Sequence, residues 1–343
     1  MSDDSRGGLP DRSVDRRAFL AAGVAVGLFG VGHAAAHPAP IAAWDTALPR
    51  GDGVPAIRSR KRQLRFAHMS DIHIQPERGA PEGFSMALRH AQHSDQGAEF
   101  IVTGGDLIMD GFEATEARTK RQWELFEGVL AGECRVPIEH CIGNHDIWGW
   151  HRSNSRTRGD EPRWGKAWAR ERLGLAADHR TFERAGWRFI VLDSVRPDGD
   201  GYLGYLGKEQ LNWLKSELAA NTAIPTVIVS HIPILSVTTL ARSKPTADNT
   251  IAVSGGLLHM DVHLVTALLA EHPNVKLCLS GHIHQLDSIE YRGCLYVCDG
   301  AVSGAWWKGP HRGVDEGYGL IDLFDDGSVA WRYVTYGWTA RPE

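Results

Sequence analysis

The sequence predicts a layered α/β domain, on three observations. Short apolar runs at 64–69, 100–103, 138–142, 189–192, 226–229 and 275–279 alternate with helical patterns at 83–92, 114–130, 208–219 and 257–271. After residue 285 the pattern becomes closely spaced strands without helices, at 288–291, 295–298, 319–323 and 329–333, which gives a mixed sheet an antiparallel flank. With 43% hydrophobic residues in 343, the chain can bury a core that a disordered or disulfide-stapled chain could not.

Residues 1–36 read as an address. A polar segment ends in Arg16-Arg17, an apolar Gly-spaced run comes next, and Ala34-Ala35-Ala36 closes it, the order of a signal peptide. Arg16-Arg17 before Ala18-Phe19-Leu20 resembles a twin-arginine signal, so the twin-arginine export machinery is an expected partner and a periplasmic or secreted location is expected. The apolar run falls short of the ~20 residues a membrane span needs, so no span is expected in the mature form. Residues 37–63, with Pro38, Pro40, Pro49 and Pro55, read as a tether outside the fold.

The folded domain is then 64–343. Within it, 148–180 is dense in Trp, Arg and Gly and reads as an insertion or cap, and 286–343 as the antiparallel strands that complete the sheets. Cys141 and Cys278 lie in or beside apolar runs, as small buried hydrophobes do. Cys294 and Cys298 share one face of a strand but stand about 13 Å apart, too far to bridge. A net charge of −5 argues against a stable nucleic-acid partner.

The residues just past each predicted strand carry chemistry. The run at 64–69 leads to Asp71-Ile72-His73, 100–103 to Gly104-Gly105-Asp106, 138–142 to Gly143-Asn144-His145-Asp146, 226–229 to His231, and 275–279 to Gly281-His282-Ile283-His284. In an open α/β sheet the carboxyl ends of the strands line one crevice, so these Asp, Asn and His residues converge on one place. Oxygen and nitrogen donors without thiolate suit Mn, Fe, Zn or Ni, and a binuclear centre is expected.

This set, in this order, resembles the calcineurin-like metallophosphoesterases across roughly residues 64–300. The resemblance implies an αββα sandwich of two mixed sheets flanked by helices. It implies that Asp71, His73 and His284 hold one divalent or trivalent ion, that Asn144, His231 and His282 hold the other, and that Asp106 bridges them. His145 would stand beside the metals as general acid, with Asp146 orienting it. Two such metals generate a hydroxide at neutral pH and clamp a phosphoryl group for attack. Two divalent ions outweigh Asp71, Asp106 and a hydroxide, so a locally positive site is expected in a chain of net charge −5.

Where purple acid phosphatases carry Tyr after the bridging Asp, this chain has Met109, and it lacks the Asp-Arg-Gly of serine/threonine protein phosphatases. Gly105-Asp106-Leu107-Ile108-Met109-Asp110-Gly111 resembles instead the class III cyclic-nucleotide phosphodiesterase group. The expectation is a phosphodiesterase or phosphatase acting on a small phosphoester or a lipid headgroup. A non-catalytic phosphate- or nucleotide-binding module and a cell-envelope nuclease are the alternatives. Trp306, Trp307 and Lys308 are candidate substrate contacts, with only one of the two adjacent indoles able to face a ligand.

Overall fold

The computed structural model describes residues 44–45, 60–93 and 95–341. The expected signal peptide, residues 1–36, lies outside the described residues, as does most of 37–63. In chain order the strands are β1 (Trp44–Asp45), β2 (Arg62–Met69), β3 (Phe100–Thr103), β4 (Ile138–His140), β5 (Arg180–Arg184), β6 (Trp187–Val191), β7 (Val195–Asp198), β8 (Gly201–Gly204), β9 (Thr226–Val229), β10 (Val275–Ser280), β11 (Asp287–Tyr291), β12 (Cys294–Cys298), β13 (Gly317–Phe324) and β14 (Val329–Thr335).

They build two six-stranded mixed sheets and one hairpin. The first sheet runs β1-β14-β13-β2-β3-β4, the second β11-β12-β10-β9-β6-β5, and β7 pairs only with β8. In the first sheet the parallel strands β2-β3-β4 run to the β4 edge, with antiparallel β13, β14 and β1 on the other side; in the second a parallel centre, β12-β10-β9-β6, is flanked by antiparallel β11 and β5. Period-two alternation sorts the side chains. Leu64, Phe66, Phe100 and Val102 meet Phe189, Val227, Val229, Leu277 and Leu279 of the second sheet, with Phe66 edge-on to Phe189 at 5.5 Å. Ala67, Met69 and Ile101 point the other way, toward α1 (Ala80–Gln92) and α2 (Glu116–Glu133). After the short α3 (Arg152–Ser155) and α4 (Ala167–Leu173) come α5 (Gly207–Ala220), α6 (Thr238–Arg242) and α7 (Val262–Ala270). Helices α5 and α7 cover the second sheet through Leu214, Leu218, Val265 and Leu269. The architecture is an αββα sandwich.

Two expectations need correction. The stretch 37–63 is not wholly a tether: Trp44–Asp45 pairs antiparallel with β14, and β2 begins at Arg62, because an open sheet edge offers backbone partners to any passing extended segment. The insertion at 148–180 is not a separate cap. Trp148, Trp150 and Trp168 are buried in the same core as α1 and α2, with Trp148 edge-on to Trp168 at 5.0 Å, and its last residue begins β5. The five cysteines are free thiols; the Sγ atoms of Cys278 and Cys294, on neighbouring strands, lie 3.6 Å apart.

Candidate metal centre and catalytic site

Five loops meet where β2, β3, β4, β9 and β10 end. The segments after β2 and β3 zip together: the N–H groups of Asp71, His73 and Ile74 donate to the carbonyls of Gly105, Asp106 and Leu107 at 3.0, 2.9 and 3.0 Å. Asp71, His73, Asp106, His282 and His284 all have positive φ, between 45° and 69°, so each turns its side chain inward from a left-handed backbone. Two glycines allow the close approach. A β-carbon at Gly143 would overlap the Asp106 carboxylate and amide, and one at Gly281 would overlap Ser70 and the Asp71 carboxylate.

The donor atoms form two groups. Asp71 Oδ1 is 3.3 Å from His284 Nε2 and 3.8 Å from His73 Nε2, and the two Nε2 atoms are 3.1 Å apart. Beside them, His231 Nε2 is 3.1 Å from Asn144 Oδ1 and 3.2 Å from His282 Nδ1. Asp106 Oδ2 faces both groups, 3.7 Å from His73 Nε2 and 3.2 Å from His231 Nε2. The structure thus brings together all seven residues the sequence nominated as ligands.

Tautomers decide what these rings offer. His231 Nδ1 and His284 Nδ1 face the carbonyls of Gly104 and Gly304 at 2.8 and 2.6 Å, and His282 Nε2 faces that of Gly256 at 2.8 Å. A carbonyl only accepts, so those nitrogens carry hydrogen, and the opposite ring nitrogens, which hold lone pairs whenever the rings are neutral, turn toward one another. Asp71 Oδ1 is buried and has no hydrogen-bond donor. Acceptors facing acceptors in a buried site need a cation, and two groups sharing one carboxylate fit two ions. The electrostatics agree. Burial would lower His231, yet Asp106 lifts it to about 9, so the carboxylate draws positive charge to this spot. Burial, with His231 in support, pushes His282 down to about 4.

His145 lies at the rim. Its backbone N–H donates to Asp106 Oδ1 at 2.8 Å, its ring stands edge-on to His73 at 4.8 Å, and its Nδ1 has no hydrogen-bond partner. Asp146 does not orient it. The Asp146 carboxylate accepts from the N–H groups of Leu107, Ile108 and Gly143 at 2.7, 3.2 and 2.8 Å and ties the β3 and β4 loops together from behind. Its role as an orienting catalytic residue is therefore corrected, because adjacent residues in a turn point in different directions.

The two tryptophans also separate. Trp307 is fully buried, donates from Nε1 to His73 O at 3.0 Å and packs against Trp338, which removes it as a substrate contact. Trp306 lies over the His284 ring at 4.6 Å and 35° and near His73 at 5.9 Å; Lys308 is exposed. A cavity of about 630 Å³ opens beside Asn144 and His145, walled by Met109, Phe112, Tyr202 and Leu257 among others. Sequence reading missed Tyr202, which sits between glycines in a hairpin that has no apolar periodicity.

The Calcineurin-like phosphoesterase family matches residues 64–286. The chain is a calcineurin-like phosphoesterase. As such it is a hydrolase acting on phosphoric esters. This phosphoesterase is 25% identical over 285 residues to a 3',5'-cyclic-nucleotide phosphodiesterase of Nostoc sp., covering 79% of this chain and 91% of that protein. It is 28% identical over 220 residues to the tartrate-resistant acid phosphatase type 5 of Homo sapiens, covering 60% of this chain and 61% of that protein. A dimetal phosphatase from Danio rerio shares the fold with a TM-score of 0.54 at 16% identity, over 81% of this chain and all of the other.

Proposed function

We propose that this phosphoesterase is exported and hydrolyses small phosphodiesters at a two-metal centre. The observation that carries the reading is the Asp106 carboxylate set between two donor groups, with His145 on the side of the cavity. Asp71, His73 and His284 would hold one ion, Asn144, His231 and His282 the other, and Asp106 both. Bound there, the ions supply Lewis acidity and a water of lowered pKa as nucleophile. His145, whose Nδ1 has no protein partner, supplies a proton to the leaving alcohol oxygen, and the cavity beside it seats the ester's alcohol arm. The likeness to a cyclic-nucleotide phosphodiesterase over 91% of that protein favours diesters; the likeness to an acid phosphatase supports monoesters as the second reading. Arg16-Arg17 and the apolar run behind them support export.

Metal analysis of protein recovered from the exported fraction, then assays with bis-p-nitrophenyl phosphate and p-nitrophenyl phosphate, test this. Asp106→Asn should lower turnover by about 10³-fold or more, since it removes the carboxylate shared by both groups. Wild-type rates in that variant would sink the two-metal reading, faster monoester than diester hydrolysis would select the second, and recovery only from the cytoplasm would remove export.

A further inference from the structure

The β7–β8 hairpin reaches the centre from outside both sheets. Asp200 at its turn and Gly201 and Tyr202 on β8 line the cavity that also bears Asn144 and His145. The Tyr202 ring is edge-on to His282 at 5.9 Å and 80°, and edge-on to Phe112 at 5.7 Å and 77°. Those contacts fix the ring, while its hydroxyl has no hydrogen-bond partner among the described residues.

The hairpin is firmly held. Gly204 N–H donates to Gly255 O and Met260 N–H to Gly204 O, both at 2.7 Å, and Tyr205 N–H donates to Ser194 O at 2.9 Å. At its base Lys166 donates to both Asp193 oxygens and to Val195 O at 2.6 Å, and Arg196 joins Asp193 to Leu206 O. A phenol is protonated at neutral pH and is then a donor. Held rigidly beside a site for an anionic group, an unpartnered donor needs no reorganisation when charge develops there.

We propose that Tyr202 is a catalytic residue of this enzyme, its Oη donating a hydrogen bond to a non-bridging phosphoryl oxygen of the ester held at the centre. The proposal rests on the two-metal reading and adds a donor that the ligand motifs do not contain. The test is Tyr202→Phe in the full, metal-loaded chain, since phenylalanine keeps both ring contacts. Two quantities are read: kcat and KM on bis-p-nitrophenyl phosphate, and the Kd of orthovanadate by calorimetry. The expected result is kcat lower by about 10²-fold with a smaller change in KM, vanadate binding weakened, and metal content and Tm unchanged. Wild-type kcat and vanadate affinity in the variant would overturn the proposal. So would an activity loss that tracks lost metal, which would make the phenol a support for His282. If wild type hydrolyses neither ester, the two-metal reading fails on its own, and the vanadate comparison still decides Tyr202.

Discussion

His140, at the end of β4, packs edge-on to Phe126 at 5.9 Å with Nδ1 3.1 Å from Thr103 Oγ1, and burial, with Arg180 in support, pushes it down to about 3. Its folded value lies below the ordinary histidine value, so the unfolded chain binds a proton that the folded one refuses. The stability this represents is present above the unfolded value and is lost as pH falls toward the folded one. Between about pH 4 and pH 6 the wild type should lose about 1.4 kcal/mol per pH unit more than His140→Gln does. Urea titrations of both proteins at equal metal loading measure the difference, and parallel slopes would refute it. Five residues away, His145 carries the same side chain in the wall of the cavity, its Nδ1 buried and without a partner. Sequence separates these two histidines only through the motif around the second; the direction in which Asp146 points is set by three amides that no motif displays.

The tryptophan-rich segment and the β7–β8 hairpin act as one support. Lys166, just before α4, has only 9% of its side chain exposed, so the ion pair with Asp193 sits away from bulk water. Lys166→Met leaves Asp193 with Arg196 as its one cationic partner and should cost about 3 kcal/mol, and adding Asp193→Asn should recover part of the loss. Denaturant unfolding of the two singles and the double provides the check; strictly additive costs would mean that the pair is not coupled. The parallel strands were legible because buried apolar runs stand out between helices, and β3 and β9 match the expected bounds. The hairpin was not: β7 is Val-Arg-Pro-Asp and β8 Gly-Tyr-Leu-Gly, ordered by hydrogen bonds to distant loops rather than by a buried face. β5, Arg180–Arg184, was hidden for the same reason, since an edge strand half exposed along its length shows little alternation.

Across the whole molecule the site joins the two layers. Asp71, His73, Asp106 and Asn144 come after strands of the first sheet, and His231, His282 and His284 after strands of the second. A bound metal pair therefore fastens one sheet to the other, and removing it leaves acceptors facing acceptors across the seam. Chelation should lower Tm by about 10 °C, the shift expected when a tightly held ligand is withdrawn from a domain of this size. Scanning calorimetry with and without chelator measures it, and an unchanged Tm would mean that the sheets do not depend on the centre. This joint was legible in the sequence as strand ends carrying Asp, Asn and His, because α/β topology makes strand carboxyl ends converge. The wall of the cavity was not, since Phe112, Tyr202 and Leu257 come from separate segments that meet only in three dimensions.

The left-handed backbone at Asp71, His73, Asp106, His282 and His284 also limits how such a centre can change over generations. Apart from glycine, the residues that tolerate this conformation best are Asn, Asp and His, while β-branched side chains are strongly disfavoured. Those three side chains are also compact donors of oxygen and nitrogen to metals. Backbone shape and ligand chemistry thus draw on one short alphabet at these positions. Substitutions that keep the loop in place are largely those that keep a ligand in it, and a step to valine or isoleucine is penalised twice, once by conformation and once by the loss of the donor.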